Sequence, residues 1–157
     1  MAVKTNAVRL VQQAGIPCKE CFYEYDENDL SGTHIADQIG LPYEMVFKTI
    51  VTKGDKNGYA VFCIPCHLEI NLKRAASATG NKKLEPVQVK ELLGLTGYIR
   101  GGCSPVGMKK KFPTYFDKSV EAEERITVSS GVRGAQLILS PTELIKYLGA
   151  KIADVVD

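Results

Sequence analysis

Two apolar runs separated by a turn-forming pentapeptide constrain the fold of this chain more than any other feature of its sequence. The first run, FKTIVTK, covers residues 47–53, and the second, YAVFCI, covers residues 59–64. Between them, GDKNG at 54–58 is made of residues that favour tight turns. The pattern therefore predicts an antiparallel β-hairpin that the rest of the chain must pack against.

Helix caps and glycine stops divide the remainder into short helices and strands. A helix opening at Ser140 has serine at the N-cap, proline at the first helical position and glutamate three residues later. Pro86 similarly predicts the first turn of a helix that Gly94 ends. Other helices are predicted from Thr5 to Gly15, from Thr33 to Gly40 and from Asn71 to Gly80, with strands at 18–25, 83–85, 114–116, 125–129 and 136–139. This order predicts a mixed α/β (α+β) class with a mixed sheet.

The length and net charge of the chain limit the number of domains and the classes of function that it can have. The chain has 157 residues and a formal net charge of +2, which suits one domain covering residues 1–157 and does not by itself announce a nucleic-acid binder. The first fifteen residues contain no long apolar core, and no run is long enough to span a bilayer. We therefore expect no membrane partner, a cytoplasmic location and reduced cysteines.

The run Cys63-Ile64-Pro65-Cys66-His67 has the spacing of a haem attachment site, a zinc ligand pair or a redox dithiol. Cys63 nevertheless lies in the second predicted strand, where a free cysteine behaves as a small buried hydrophobe. The predicted helix after Cys66 begins too late to activate its thiol. A structural role is the simpler interpretation, with zinc or redox chemistry as the alternative.

Lys48 lies inside an apolar strand, where lysine is unusual. Val46 and Ile50 share its face, and Phe47 and Val51 occupy the other. A lysine in this setting extends to solvent, pairs with a carboxylate or lines a cavity. The pattern alone leaves a solvated edge strand and a functional lysine equally open.

Glycine-rich segments form a second candidate site. GGCSPVG at 101–107 can approach a ligand closely through its backbone, and its N–H groups could hold an oxyanion. Lys109-Lys110-Lys111 follows, and is either a solvated surface or a polyanion site. SSGVRG at 129–134 adds a glycine turn with an arginine suited to phosphate. No Walker A loop, G-x-S-x-G motif or evident base for Cys103 occurs.

Taken together, these segments resemble the YbaK/EbsC family of aminoacyl-tRNA deacylases, which is related to the editing insertion of bacterial prolyl-tRNA synthetases. The resemblance runs from about residue 23 to the C-terminus, and the long glycine segment with its lysines is its most specific part. The matching motifs are YEYD at 23–26, FKTIV at 47–51, NLKRAA at 71–76, TGYIRGGCSPVGMKKKFPT at 96–114 and TVSSGVRG at 127–134. The resemblance implies a compact mixed β-barrel flanked by helices.

The resemblance also implies residue roles. Lys48 and Gly101 are expected to be catalytic, Lys48 as the essential pocket lysine and Gly101 as a backbone contact to the ester. Substrate-binding residues are expected to be Tyr23, Thr49, Gly102, Ser104, Ser129, Arg133 and Gln136. Ser31 and Gln136 depart from the members that clear cysteine, which carry phenylalanine and aspartate there. No metal or cofactor is implied.

The implied function is trans-editing of cysteinyl-tRNA(Pro), and also of cysteinyl-tRNA(Cys), by attack of the substrate's own thiol on the ester. Aminoacyl-tRNA is the implied partner, with prolyl-tRNA synthetase as a transient one. Two alternatives stay open: a deacylase for another small amino acid, and a module that binds aminoacyl-tRNA or a nucleotide without cleaving it. An aminoacyl ester is already activated, so positioning and oxyanion stabilisation could suffice without a catalytic triad.

Overall fold

A computed structural model of the chain describes residues 5–157. Five α-helices and eight strands alternate along this part, and the mixed α/β class is confirmed. The helices are α1 (Asn6–Gln13), α2 (Gly32–Ile39), α3 (Leu72–Ala78), α4 (Val89–Thr96) and α5 (Pro141–Leu148); the strands are β1 (Cys18–Phe22), β2 (Phe47–Gly54), β3 (Tyr59–Pro65), β4 (Leu84–Pro86), β5 (Thr114–Asp117), β6 (Ile126–Ser129), β7 (Ala135–Leu139) and β8 (Lys151–Ala153). Within residues 5–157, none of the helices combines the length and apolar character needed to cross a membrane.

The strands form two sheets. One has the order β1-β7-β6 and is antiparallel throughout. The other has the order β4-β2-β3-β5-β8 and is mixed, because β3 pairs with β5, and β5 with β8, in parallel. An isolated bridge between Val46 and Thr127 joins the two sheets just before β2 begins. This bridge brings the start of β2 next to β6.

The predicted hairpin is present and sits at the centre of the larger sheet. Phe47 pairs with Pro65 and Lys53 with Tyr59, so β2 and β3 are in register along their length. At the turn, the Gly54 N–H donates to the Gly58 carbonyl at 2.7 Å, and Gly58 has a φ of +74°. Glycine adopts this left-handed conformation without steric cost, which explains its place in GDKNG.

Apolar packing on both faces of the hairpin fixes its position. On one face, Phe47 and Cys63 belong to the main core, which α1 and α5 cover together with both sheets. On the other, Phe62 and Ile64 pack against α3. A third, smaller cluster places α2 over Val46. The start of β2 thus lies where all three clusters approach one another.

Four elements differ from the sequence-based expectation. Pro86 ends the edge strand β4 instead of opening a helix, because a strand edge also tolerates the missing N–H. Helix α4 begins at Val89, after Gln88 donates its backbone N–H to the Glu91 carboxylate at 3.0 Å, and it passes through Gly94. Strand β1 ends at Phe22, three residues early. Strand β8 was not predicted.

Candidate active site

A cleft of about 420 Å³ opens at the start of β2, where the two sheets meet. This volume lies within the range typical of small-molecule sites. Five of the residues predicted to act on substrate line it: Lys48, Thr49, Gly101, Ser129 and Gln136. They come from β2, the glycine-rich loop, β6 and β7, so the fold gathers residues up to 88 positions apart in the sequence.

Lys48 contributes a positive charge to this cleft. Its side chain is 28% exposed, and its Nζ lies 3.9 Å from the Glu69 Oε1 atom. The Glu69 side chain is 85% exposed, so the pair is a weak surface contact that leaves the ammonium free to meet an anion. Val46 is buried on the same face, and Ile50 packs towards α3. Lys48 therefore lines a cavity, one of the outcomes its apolar setting indicated.

The glycine-rich loop reaches the cleft through backbone. Gly101 has a φ of +86°, and an added Cβ there would lie 3.1 Å from the Leu30 Cδ2 atom. The Arg133 Nε donates to the Arg100 carbonyl at 2.9 Å, which fastens the loop to the turn at 131–134. Gly102 packs so closely on that turn that a Cβ would lie 2.9 Å from the Val132 carbonyl carbon. Both glycines are thus needed for the loop to lie where it does.

We expect Gly102→Ala to damage both the fold and the site, because its methyl group would press on backbone that cannot rotate away. Overpacking of this kind costs about 1–3 kcal/mol. We expect a fall of several degrees in Tm and slower turnover, measured by thermal unfolding and single-turnover kinetics.

Gly94→Ala is the matched control for Gly102→Ala. An added Cβ at Gly94 meets nothing within 4 Å, and the residue lies inside α4, where alanine is favoured by about 0.5–1 kcal/mol. We expect this variant to equal or exceed wild type in Tm. A Gly102→Ala protein with the Tm and turnover of wild type would contradict the proposed packing role.

Ser129 and Gln136 lie opposite each other on neighbouring strands at the cleft wall. The Thr127 hydroxyl donates to the Gln136 Oε1 at 3.1 Å in a buried contact. The Gly131 N–H donates to the Ser129 Oγ at 3.1 Å. These bonds fix both side chains before any substrate arrives. Gln136 brings a neutral amide to this wall, so no negative charge is placed there.

The other predicted residues lie around the cleft and not on its surface. Tyr23 packs with the apolar cluster beneath α2, and its backbone N–H donates to the Gly134 carbonyl at 3.0 Å. Ser104 is fully buried, and its Oγ accepts from the Val106 N–H at 3.2 Å. The Arg133 side chain donates to the Arg100 carbonyl, as described above. In this structure these groups support the cleft walls, and direct substrate contact by them stays a prediction.

Several cleft residues carried no usable signal in the sequence. Glu69 and His67 come from the loop after β3, and Arg100 precedes the first loop glycine. Glu69 supplies the carboxylate nearest Lys48. Because Glu69 and His67 are far in sequence from the predicted site residues, the sequence did not show that they share one cleft with them. The end of an apolar strand is nevertheless a common place for site residues. Ser31 also lines the cleft, but its Oγ caps α2 by accepting from the His34 N–H at 3.3 Å.

Two thiols line the cleft, Cys66 and Cys103, and burial raises the pKa of each to about 11. Lys48 opposes this shift at Cys66 without overcoming it. A thiol with a pKa of about 11 holds at least roughly a hundredfold less thiolate at neutral pH than an ordinary cysteine does. Neither thiol is therefore prepared to act as a nucleophile.

The C-x-x-C-H run is split between core and cleft. Cys63 is fully buried, as the strand alternation predicted, and its Sγ lies 3.8 Å from the Thr49 hydroxyl. Cys18 and Cys21 lie in β1 of the other sheet. Among residues 5–157, no group of three or more histidine, cysteine, aspartate or glutamate side chains is arranged to hold a metal ion.

We expect the purified protein to contain no stoichiometric zinc or haem. Cys63→Ala should keep its activity and lose about 1 kcal/mol of stability, because it removes one buried sulfur from the main core. Elemental analysis and denaturant unfolding check these expectations. One zinc per wild-type chain, lost in Cys63→Ala with Cys66→Ser, would show instead that the run binds metal.

Comparison with known proteins identifies the family. Residues 31–147 match the family described as the aminoacyl-tRNA editing domain. The chain belongs to this family. The match covers β2, the glycine-rich loop, β6 and β7, which carry the five predicted residues that line the cleft. The substrate class of this editing domain is aminoacyl-tRNA.

Individual relatives agree with this assignment. The chain is 43% identical over 152 residues to EbsC of Enterococcus faecalis, a candidate Cys-tRNA(Pro)/Cys-tRNA(Cys) deacylase, covering 97% of this chain and 93% of that one. It is 28% identical to proline–tRNA ligases of Staphylococcus aureus over 71% of this chain but 19% of the ligase. The crystal structure of a candidate trans-editing enzyme for prolyl-tRNA synthetase has the same fold, with a TM-score of 0.85, 23% identity and 99% of both chains covered.

Proposed function

We propose that this aminoacyl-tRNA editing domain clears cysteine from mischarged tRNA, chiefly cysteinyl-tRNA(Pro) and also cysteinyl-tRNA(Cys). The observation that carries the proposal is the cleft itself, in which Lys48, Thr49 and Gly101 face Ser129 and Gln136. The identity with EbsC over nearly the whole chain supports cysteine as the amino acid removed.

Each group has a role that its chemistry suits. Lys48 orients the negatively charged end of the tRNA or its ester, because its ammonium has only a weak partner in Glu69. Gly101 presents backbone to the ester, and in this proposal its N–H stabilises the oxyanion that develops on the carbonyl oxygen; its position in the lining of the cleft supports this role. Ser129 and Gln136 hold the aminoacyl group against the wall of the smaller sheet.

The nucleophile in this proposal is the thiol of the substrate. It attacks the carbonyl carbon of its own ester, so a C–S bond forms and the C–O bond to the terminal ribose breaks. The ribose oxygen takes the thiol proton, which releases tRNA and a cyclic thiolactone that water then opens. The raised pKa values of Cys66 and Cys103 support this assignment, because the cleft's own thiols stay protonated.

We further propose that residues 1–157 act as one deacylase domain in the cytoplasm, and that prolyl-tRNA synthetase is a transient partner. The similarity to proline–tRNA ligases supports the second suggestion. Mixing the two proteins with tRNA(Pro) and following co-sedimentation would test it. No complex in the presence or absence of tRNA would refute the synthetase partner without affecting the deacylase assignment.

A panel of aminoacyl-tRNAs tests which amino acid is removed. We expect rapid deacylation of cysteinyl-tRNA(Pro) and much slower deacylation of alanyl-tRNA(Pro), with prolyl-tRNA(Pro) left intact. Faster loss of alanine than of cysteine would favour the alternative, a deacylase for another small amino acid, for which the neutral Gln136 is the supporting observation. Binding without any cleavage would identify a non-catalytic module.

A further inference from the structure

A second depression, of about 550 Å³, lies at the far end of β2 and is lined by lysines. We call it the lysine groove. Its lining residues are Lys53, Gly54, Asp55, Leu72, Lys73, Lys82, Lys83, Leu84 and Glu85. They come from the end of β2, the start of α3 and the edge strand β4. The four lysines are all exposed, and the Lys53 Nζ lies over the Tyr59 ring, 5.8 Å from its centroid.

The charge of this groove is concentrated. Four lysines face two carboxylates, which leaves an excess of two positive charges, equal to the formal charge of the whole chain. Hydrogen bonds from the backbone N–H groups of Lys83 and Lys82 lower the pKa of Asp55, so its carboxylate is used in holding the turn. The side chains of Lys82 and Lys83 take no part in these hydrogen bonds, which come from their backbone N–H groups. The groove therefore presents a local positive field on a nearly neutral protein.

The lysine groove and the cleft are connected by two elements. Strand β2 carries Lys48 at the cleft and Lys53 at the groove, a separation of about 17 Å at the usual rise per strand residue, with the two side chains on opposite faces of the strand because they are five residues apart. The segment after β3 runs the same way, since Glu69 lines the cleft and Lys73 lines the groove. A polyanion whose end enters the cleft could therefore continue into the groove.

We infer that the lysine groove binds the phosphates of the tRNA acceptor end whose terminal ester lies in the cleft. This inference rests on the proposed function. A tRNA carries its amino acid on an unpaired 3′ end that continues into the acceptor stem, and about 17 Å along β2 spans several nucleotides at about 3.4 Å of axis per nucleotide of a strand. Lysine contacts to phosphate give affinity without base specificity.

The tract Lys109-Lys110-Lys111 is the other basic surface that a polyanion could use. Lys110 and Lys111 line a different depression, together with Leu10 of α1 and Tyr147 of α5. The lysine groove is favoured over this tract because the short segment that starts at Glu69, which lines the cleft, runs on to Lys73, which lines the groove.

Two double variants with the same change in charge separate these surfaces. Lys82→Gln with Lys83→Gln removes two charges from the groove while leaving the backbone N–H groups that bind Asp55. Lys110→Gln with Lys111→Gln removes two charges from the tract. The deacylation of cysteinyl-tRNA(Pro) and of 3′-O-cysteinyl-adenosine by both double variants is measured between about 50 and 200 mM salt. Phosphate contacts weaken steeply over this range. Binding of uncharged tRNA(Pro) and of an acceptor-stem minihelix is measured by fluorescence anisotropy.

We expect the groove variant to lose about tenfold in kcat/KM on cysteinyl-tRNA(Pro) at low salt, with the slope of log affinity against log salt smaller by about two. Its activity on 3′-O-cysteinyl-adenosine should equal that of wild type, and the tract variant should match wild type on both substrates. Equal losses in the two variants, wild-type tRNA binding by the groove variant, or loss on the small ester would overturn the inference. A wild-type protein that binds tRNA through the groove but cleaves no ester would refute the proposed function alone.

Discussion

Lys48→Ala is expected to lower single-turnover deacylation of cysteinyl-tRNA(Pro) by about 10²–10³-fold, the size of effect that follows loss of one aligned electrostatic contact in an active site. Lys48 lines the cleft and has only a long contact to an exposed carboxylate, so its ammonium is available to the substrate. Uncharged tRNA binding should fall much less, because we place most phosphate contacts elsewhere.

The stability of the Lys48→Ala protein separates a functional role from a structural one. The side chain is 28% exposed and outside the apolar clusters, so we expect a change in unfolding free energy within about 0.5 kcal/mol. Lys151→Ala is the matched control, since Lys151 is also a strand lysine but is exposed on β8. A folded Lys48→Ala protein that deacylates within twofold of wild type would exclude Lys48 from the reaction.

Cys103→Ser is expected to leave deacylation of cysteinyl-tRNA unchanged, although Cys103 is a cleft thiol on the glycine-rich loop. Burial raises the pKa of Cys103 to about 11, so its thiolate fraction is negligible near pH 7. The substrate thiol, with an ordinary pKa of about 8.5, is ionised to a few per cent at that pH. The nucleophile with more thiolate is therefore the one that the substrate brings.

The pH profile distinguishes the two thiols. If the substrate thiol attacks, the rate should rise about tenfold per pH unit from pH 6 to 8 and level off as the pH passes about 8.5. If an enzyme thiol attacks, the rise should continue well beyond that point, because the pKa values of Cys66 and Cys103 lie higher. Cys103→Ser should reproduce the wild-type profile. Loss of activity in Cys103→Ser would assign the attack to the enzyme.

Local sequence signals accounted for most of the elements. Thr5, Asn71 and Ser140 each accept a hydrogen bond from the backbone N–H three residues later, as their cap positions predicted. The hairpin followed from residues next to one another in the chain. By contrast, β8 is held by parallel pairing to β5, more than thirty residues earlier, which no local pattern indicates. Helix α4 was misplaced because proline serves a strand end as well as a helix start.

Individual residues of the candidate site were predictable from the sequence, but their arrangement around one cleft was not. Lys48 and Gly101 were anomalous in their own segments, and the structure places both on one cleft. Glu69 and His67 reach the same cleft because β3 ends opposite the start of β2, where Phe47 pairs with Pro65. Ser104, which the resemblance assigned to the substrate, is fully buried, and its hydroxyl accepts from the Val106 N–H, so direct substrate contact by it stays a prediction.

The most direct test of the account compares cysteinyl-tRNA(Pro) with seryl-tRNA(Pro) under single-turnover conditions at pH 7. The two esters have nearly the same shape, so the cleft can hold either, but only the first carries a nucleophile that is partly ionised at this pH. We expect the cysteinyl ester to be cleaved at least about a hundredfold faster than the seryl ester. Equal rates on the two substrates would contradict attack by the substrate thiol.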